Sequence, residues 1–162
     1  MDNRLSIPRI PCRMLWMFVA LCVVLEGGCA AKRAYNRGID AATEGQYAKA
    51  ILSYKKAVAK DPAFAAAHYN MASCYAKLEL YDNAIASYEK ALECQPDMQD
   101  AIWNLALVLG KAGRLEEANQ AWDKARSLCR SPKDAGMISV FMAENERKIA
   151  EKAAPPSPEG GP

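Results

Sequence analysis

The 162-residue sequence predicts an all-α protein built from three tandem helix pairs and one further helix. Three observations carry that expectation. Residues of matching type recur every 34 positions: Ala50, Ala84 and Ala118; Tyr54, Tyr88 and Trp122; Ala57, Ala91 and Ala125. At the same interval Gly38, Ala72 and Ala106 are small, and Tyr47, Tyr81 and Leu115 are large. Helix breakers repeat too. Pro62 and Pro96 end segments at Asp61 and Gln95, because the residue before proline avoids the helical region, although the third copy has Arg130 there. Gly45 and Gly113 divide the first and third units internally. A gapless ladder of columns marks a repeat architecture, in which single units cannot bury their apolar faces and stacking completes the core.

The units run over residues 31–64, 65–98 and 99–132. In the first, helix A is expected near Ala31 to Glu44 and helix B near Tyr47 to Lys60. Alanine fills the columns where helices cross, since a side chain ending at Cβ lets backbones approach closely. The aromatic column at Tyr54, Tyr88 and Trp122 fills the space between units. A capping helix follows over residues 133–152: Ser131 is placed as N-cap and Pro132 at the first helical position, with an acidic residue following. Ile138, Phe141, Met142 and Ile149 fall on one face, and Glu144, Glu146, Arg147, Lys148, Glu151 and Lys152 keep most of the remainder in water. Arg37 and Asp40 stand where the other units have Met71, Leu105, Cys74 and Val108. They suit either the solvated outer face of a first repeat or a polar dock.

Over about residues 31–132 the column set resembles the tetratricopeptide repeat family. That resemblance implies a right-handed superhelix and a non-catalytic binding module whose A helices form a concave surface. The aligned concave columns are Tyr35, Tyr69 and Trp103; Asn36, Asn70 and Asn104; Ile39, Ser73 and Leu107; and Thr43, Lys77 and Lys111. The site expected from them is a partner-binding groove of Tyr35, Asn36, Tyr69, Asn70, Trp103, Asn104, Lys77 and Lys111. An asparagine amide both donates to and accepts from a peptide backbone, aromatics supply apolar area with few rotors, and lysines can meet a carboxylate. Family members that bind chaperone tails use a carboxylate clamp. Of its five positions only Asn70 matches; Tyr35, Ile39, Asp100 and Asn104 occupy the others, so acidic chaperone C-termini are not expected partners.

The beginning of the chain reads as a targeting segment, residues 1–28. Arg4, Arg9 and Arg13 precede the apolar run from Met14 to Leu25, which is shorter than the roughly 20 residues of a bilayer span but suits a signal peptide. Gly27, Gly28, Cys29 and Ala30 resemble a bacterial lipobox, with Cys29 as the lipidated residue, although Glu26 stands where an aliphatic residue is usual. Ordinary cleavage near Ala30 and Ala31, or an uncleaved anchor flanked by Lys32 and Arg33, are the alternatives. The expected location is the bacterial cell envelope, lipid-anchored and facing the periplasm, with the outer membrane favoured. Residues 153–162 are rich in proline and glycine and are expected to be a disordered tail.

Composition narrows the function. Twenty-one Lys and Arg stand against nineteen Asp and Glu, so no polyanion-binding field is expected and nucleic acid is not an expected partner. His68 is the single histidine and falls in a packed helix column, so no catalytic set, metal site or cofactor is expected. Cys74, Cys94 and Cys129 lie within the repeats as buried thiols or, in an oxidising compartment, a disulfide pair and one thiol. Two functions remain open: an adaptor that holds a peptide or protein in its groove, or a structural subunit that oligomerises or docks through the ends of the array.

Overall fold

The computed structural model describes residues 12–129 and 131–153, with side chains described from residue 28 onward. Among these residues there are seven helices and no strands: α1 Cys12–Thr43, α2 Tyr47–Lys60, α3 Ala65–Lys77, α4 Tyr81–Cys94, α5 Gln99–Lys111, α6 Leu115–Leu128 and α7 Pro132–Ala153. Each helix packs chiefly on its neighbours in sequence: α1 on α2, α3 on α4 and α5 on α6 within pairs, then α2 on α3, α4 on α5 and α6 on α7 between pairs. Beyond these, α1 touches α3 and α3 touches α5. The A helices therefore line one surface and the B helices the other, which is the expected all-α array of three helix pairs and a cap.

The repeat columns are the core. Ala50, Ala84 and Ala118 are fully buried, and Tyr54, Tyr88 and Trp122 are 1–2% exposed. Gly38 shows how closely the helices approach: a Cβ built there would overlap the Tyr54 ring. None of helices α2 to α6 has a side-chain N-cap bond. Their ends are fixed by backbone geometry and packing instead.

Each A-to-B turn is the same Schellman motif. Gln46, Leu80 and Arg114 donate their N–H to the carbonyls of Ala41, Tyr75 and Leu109, while Gly45, Glu79 and Gly113 donate to Ala42, Ala76 and Gly110. The closing residue must be left-handed, and Gly45, Glu79 and Gly113 have φ of 73°, 59° and 77°. The middle repeat thus places a glutamate where its neighbours have glycine, a conformation that costs an L-residue roughly 1–2 kcal/mol.

Three expectations are adjusted. Helix α1 does not start near Ala31 but continues back to Cys12, through the anticipated processing point. The cap contains a residue the apolar pattern overlooked: Asn145 is 7% exposed and donates its amide to Asn119 Oδ1 at 2.9 Å, so a buried polar pair joins α7 to α6. The thiols are not uniformly buried, since Cys74 is packed but Cys94 is exposed and Cys129 half-buried; with Cys29 they are free cysteines. The anticipated tail lies outside the described residues except for Ala153, the last residue of α7.

Candidate partner-binding groove

Two depressions lie side by side on the A-helix surface. One, of about 350 Å³, sits between α1 and α3 and is lined by Ile39, Thr43, Tyr47, Asn70, Ser73 and Lys77, among others. The next, of about 280 Å³, lies between α3 and α5 and includes Ser73, Lys77, Asn104, Leu107 and Lys111. Ser73 and Lys77 belong to both, so the two form one channel across three A helices. Among the described residues no carboxylate lines either depression. Lys77 and Lys111 are exposed, and among the described residues neither ammonium has an ion-pair partner.

The buried tyrosines shape the floor. Ser73 Oγ lies 3.1 Å from the Tyr69 carbonyl and 3.0 Å from the Tyr88 hydroxyl. The serine proton goes to the carbonyl, so Tyr88 donates to Ser73, and a fixed chain of donors crosses the channel floor. Burial drives the phenols of Tyr54 and Tyr88 up to about 12, which keeps both neutral. Burial also raises the Cys74 thiol, so this groove-lining sulfur is not a poised nucleophile.

The anticipated groove set divides. Asn70, Asn104, Lys77 and Lys111 do line the channel. Tyr35, Tyr69 and Asn36 line neither depression, and Trp103 lines a separate cavity bounded by α5, α6 and α7. The aromatic column is turned toward the B helices: Tyr35 lies 5.7 Å from Tyr54, Tyr69 5.7 Å from Tyr88 and Trp103 4.9 Å from Trp122 between ring centres. Those contacts hold Trp103 against α6 rather than in the channel. Asn70 Nδ2 donates to the Tyr35 hydroxyl at 2.8 Å and Asn104 Nδ2 to the Tyr69 hydroxyl at 3.0 Å. One N–H of each amide therefore ties adjacent repeats together. Asn36, in the first helix pair, is exposed.

Ile39, Thr43, Ser73 and Leu107, by contrast, take direct part in the lining. Their signal was their place in the concave columns; what the sequence does not show is that the aromatic column beside them is consumed by packing. Tyr47, the first residue of α2, also lines the channel, and no A-helix column points to it. His68 is half-buried and places Nε2 3.0 Å from the Pro62 carbonyl, tying α3 to the preceding loop. Cys29 is exposed on α1.

A family model described as tetratricopeptide repeat matches residues 35–99. Among solved structures, the TPR2B-domain–pHsp70 complex of yeast Sti1 is similar at TM-score 0.66 and 23% identity, covering 74% of this chain and 98% of that one. The Arabidopsis OM64 TPR domain gives 0.67 and 20%, covering 76% and 99%. The Yersinia enterocolitica type III secretion chaperone SycD, in complex with a peptide of the translocator YopD, gives 0.66 and 19%, covering 73% and 93%. No curated protein sequence matches the chain. Residues 35–99 therefore match tetratricopeptide repeats in sequence, and the helix array shares the fold of solved tetratricopeptide repeat domains.

Proposed function

We propose that this protein is a non-catalytic adaptor of the bacterial cell envelope that holds a peptide or protein segment in its concave channel. The observation that carries the reading is the continuous channel across α1, α3 and α5, with apolar walls at Ile39 and Leu107, the amide capacity of Asn70 and Asn104 that their tyrosine bonds leave over, and lysines at one edge. An extended chain needs this combination: pockets for side chains, hydrogen-bond partners for its backbone and few charges to desolvate. The solved structures similar in fold include a pHsp70 complex and a complex with a translocator peptide, which supports a peptide ligand. The chaperone clamp positions are still held by Tyr35, Ile39, Asp100 and Asn104, and Asn70, the one match, already bonds Tyr35, so a different sequence class is proposed.

Anchoring rests on Cys29 as the lipidated residue, with the domain facing the periplasm from the outer membrane. The exposed Cys29 thiol and the small residues before it support this. A mature mass beginning at Cys29 with acyl chains is expected, and an intact Met1 would end this part of the proposal.

The structural-subunit reading has one observation in its favour: α7 exposes Met137, Val140 and Phe141 at the array's end. Affinity capture separates the two. Leu107→Arg in the channel should lose the partner, whereas Val140→Arg and Leu52→Arg should retain it. Loss with Val140→Arg alone would favour docking through the end.

A further inference from the structure

The Tyr35, Tyr69 and Trp103 column breaks at its last member. The first two carry a hydroxyl that takes an amide proton from the following repeat. Trp103 has no such oxygen, and among the described residues no side chain hydrogen-bonds its indole. It instead forms a wall of a cavity of about 310 Å³ at the junction of α5, α6 and α7, together with Asp100, Ala125, Cys129, Asp134 and Met137. Gln99, also at this cavity, is committed to the Leu128 carbonyl at 2.9 Å.

The polarity is opposite to that of the channel. Among the described residues, two carboxylates and no cation line the cavity, whereas two lysines and no carboxylate line the channel. Among the described residues neither Asp100 nor Asp134 makes a side-chain hydrogen bond or ion pair. Helix-dipole compensation favours acids in first turns, but the column of Asp100 holds Lys32 and Ala66 in the other repeats, so the array does not require one there. The Asp100 charge is felt on the neighbouring A helix: after burial, it is the next cause holding the Tyr69 phenol above its ordinary value.

We infer that the α5–α6–α7 cavity receives a cationic side chain, lysine or arginine, of the bound polypeptide, set over the Trp103 indole between Asp100 and Asp134. A guanidinium or ammonium is attracted to an indole face and to carboxylates, and its aliphatic stem suits a wall of Met137 and Ala125. The inference deepens the adaptor reading and depends on it for the ligand being a polypeptide. It also gives the ligand a direction, with a basic residue at the α7 end of the groove and acidic or neutral residues beside Lys77 and Lys111.

The pocket can be probed without knowing the partner. The full chain, in detergent micelles, is titrated with N-acetyl-argininamide and with its neutral isostere N-acetyl-citrullinamide, following the indole N–H resonance assigned to Trp103 by Trp103→Phe. Argininamide should move that resonance saturably and citrullinamide should not. Asp100→Asn and Asp134→Asn should each weaken argininamide by about threefold or more, the scale of an exposed ion pair, with helical content unchanged. Equal shifts from citrullinamide, or unchanged argininamide affinity in both variants, would overturn the inference. The channel reading would stand in that case, because it is decided separately by Leu107→Arg.

Discussion

Asn70 donates a side-chain N–H to the hydroxyl of Tyr35, one repeat earlier, at 2.8 Å, and Asn104 repeats the contact to Tyr69 at 3.0 Å. A residue pair 35 positions apart thus acts as a rivet between consecutive A helices, beside the channel the helices enclose. Asn70→Ala and Asn104→Ala should each lower stability by about 0.5–1.5 kcal/mol, the net value of a typical hydrogen bond. A double-mutant cycle of Asn70→Ala with Tyr35→Phe in urea should show coupling; strictly additive losses would mean that the contact carries no stability.

Close approach at the first helix pair gives a second test. Gly38→Ala must displace the buried Tyr54 ring, at a cost of about 1–3 kcal/mol. Gly136 lies on the exposed side of α7, where an added Cβ meets nothing within 4 Å, so Gly136→Ala should stabilise by up to about 1 kcal/mol through helix propensity. Thermal unfolding of the two variants should shift in opposite directions.

The left-handed residue at the middle turn gives a third. Glu79→Gly should stabilise by roughly 0.5–1 kcal/mol because it relieves a positive φ of 59°, whereas Gly45→Ala should destabilise by a comparable amount. Chemical denaturation of both single variants checks the pair.

Much of this was legible in the sequence because the repeat constrains each column three times over. The alanine and aromatic columns predicted the buried crossings, and breakers at Gly45, Pro62, Pro96 and Gly113 predicted where the chain turns. Other features depend on what lies opposite a side chain. Asn70 and Asn104 have the chemistry of ligand-binding amides, and only the geometry shows half of that capacity spent on tyrosine hydroxyls. Asn145 is polar and falls within an apolar face, so pattern alone does not reveal its pairing with Asn119. Trp103 fits the aromatic column by type, yet α7 brings Phe141 to 6.4 Å and places the indole in a different cavity.

Alkaline pH should act through the buried phenols. The folded values of Tyr54 and Tyr88, about 12, lie above the ordinary 10.0, so the folded state prefers the neutral form. Their contribution is complete below pH 10 and is lost as pH rises toward 12. Tyr88→Phe should lower stability near neutrality by removing the Ser73 bond, yet show a shallower loss above pH 10. Tyrosinate absorbance recorded alongside helical circular dichroism checks the order: ionisation of these two tyrosines should coincide with unfolding.

The most direct test of the channel as the working surface is site-specific photo-crosslinking in living cells. A photoreactive residue at Ile39 or Leu107 lies in the channel; at Leu52 or Lys90 it stands on exposed B-helix surface. The account predicts one shared crosslinked partner from Ile39 and Leu107, diminished by excess ligand peptide derived from it, and no such product from Leu52 or Lys90. The same product from Leu52 or Lys90 but not from Ile39 or Leu107 would contradict the account and move the working surface off the channel.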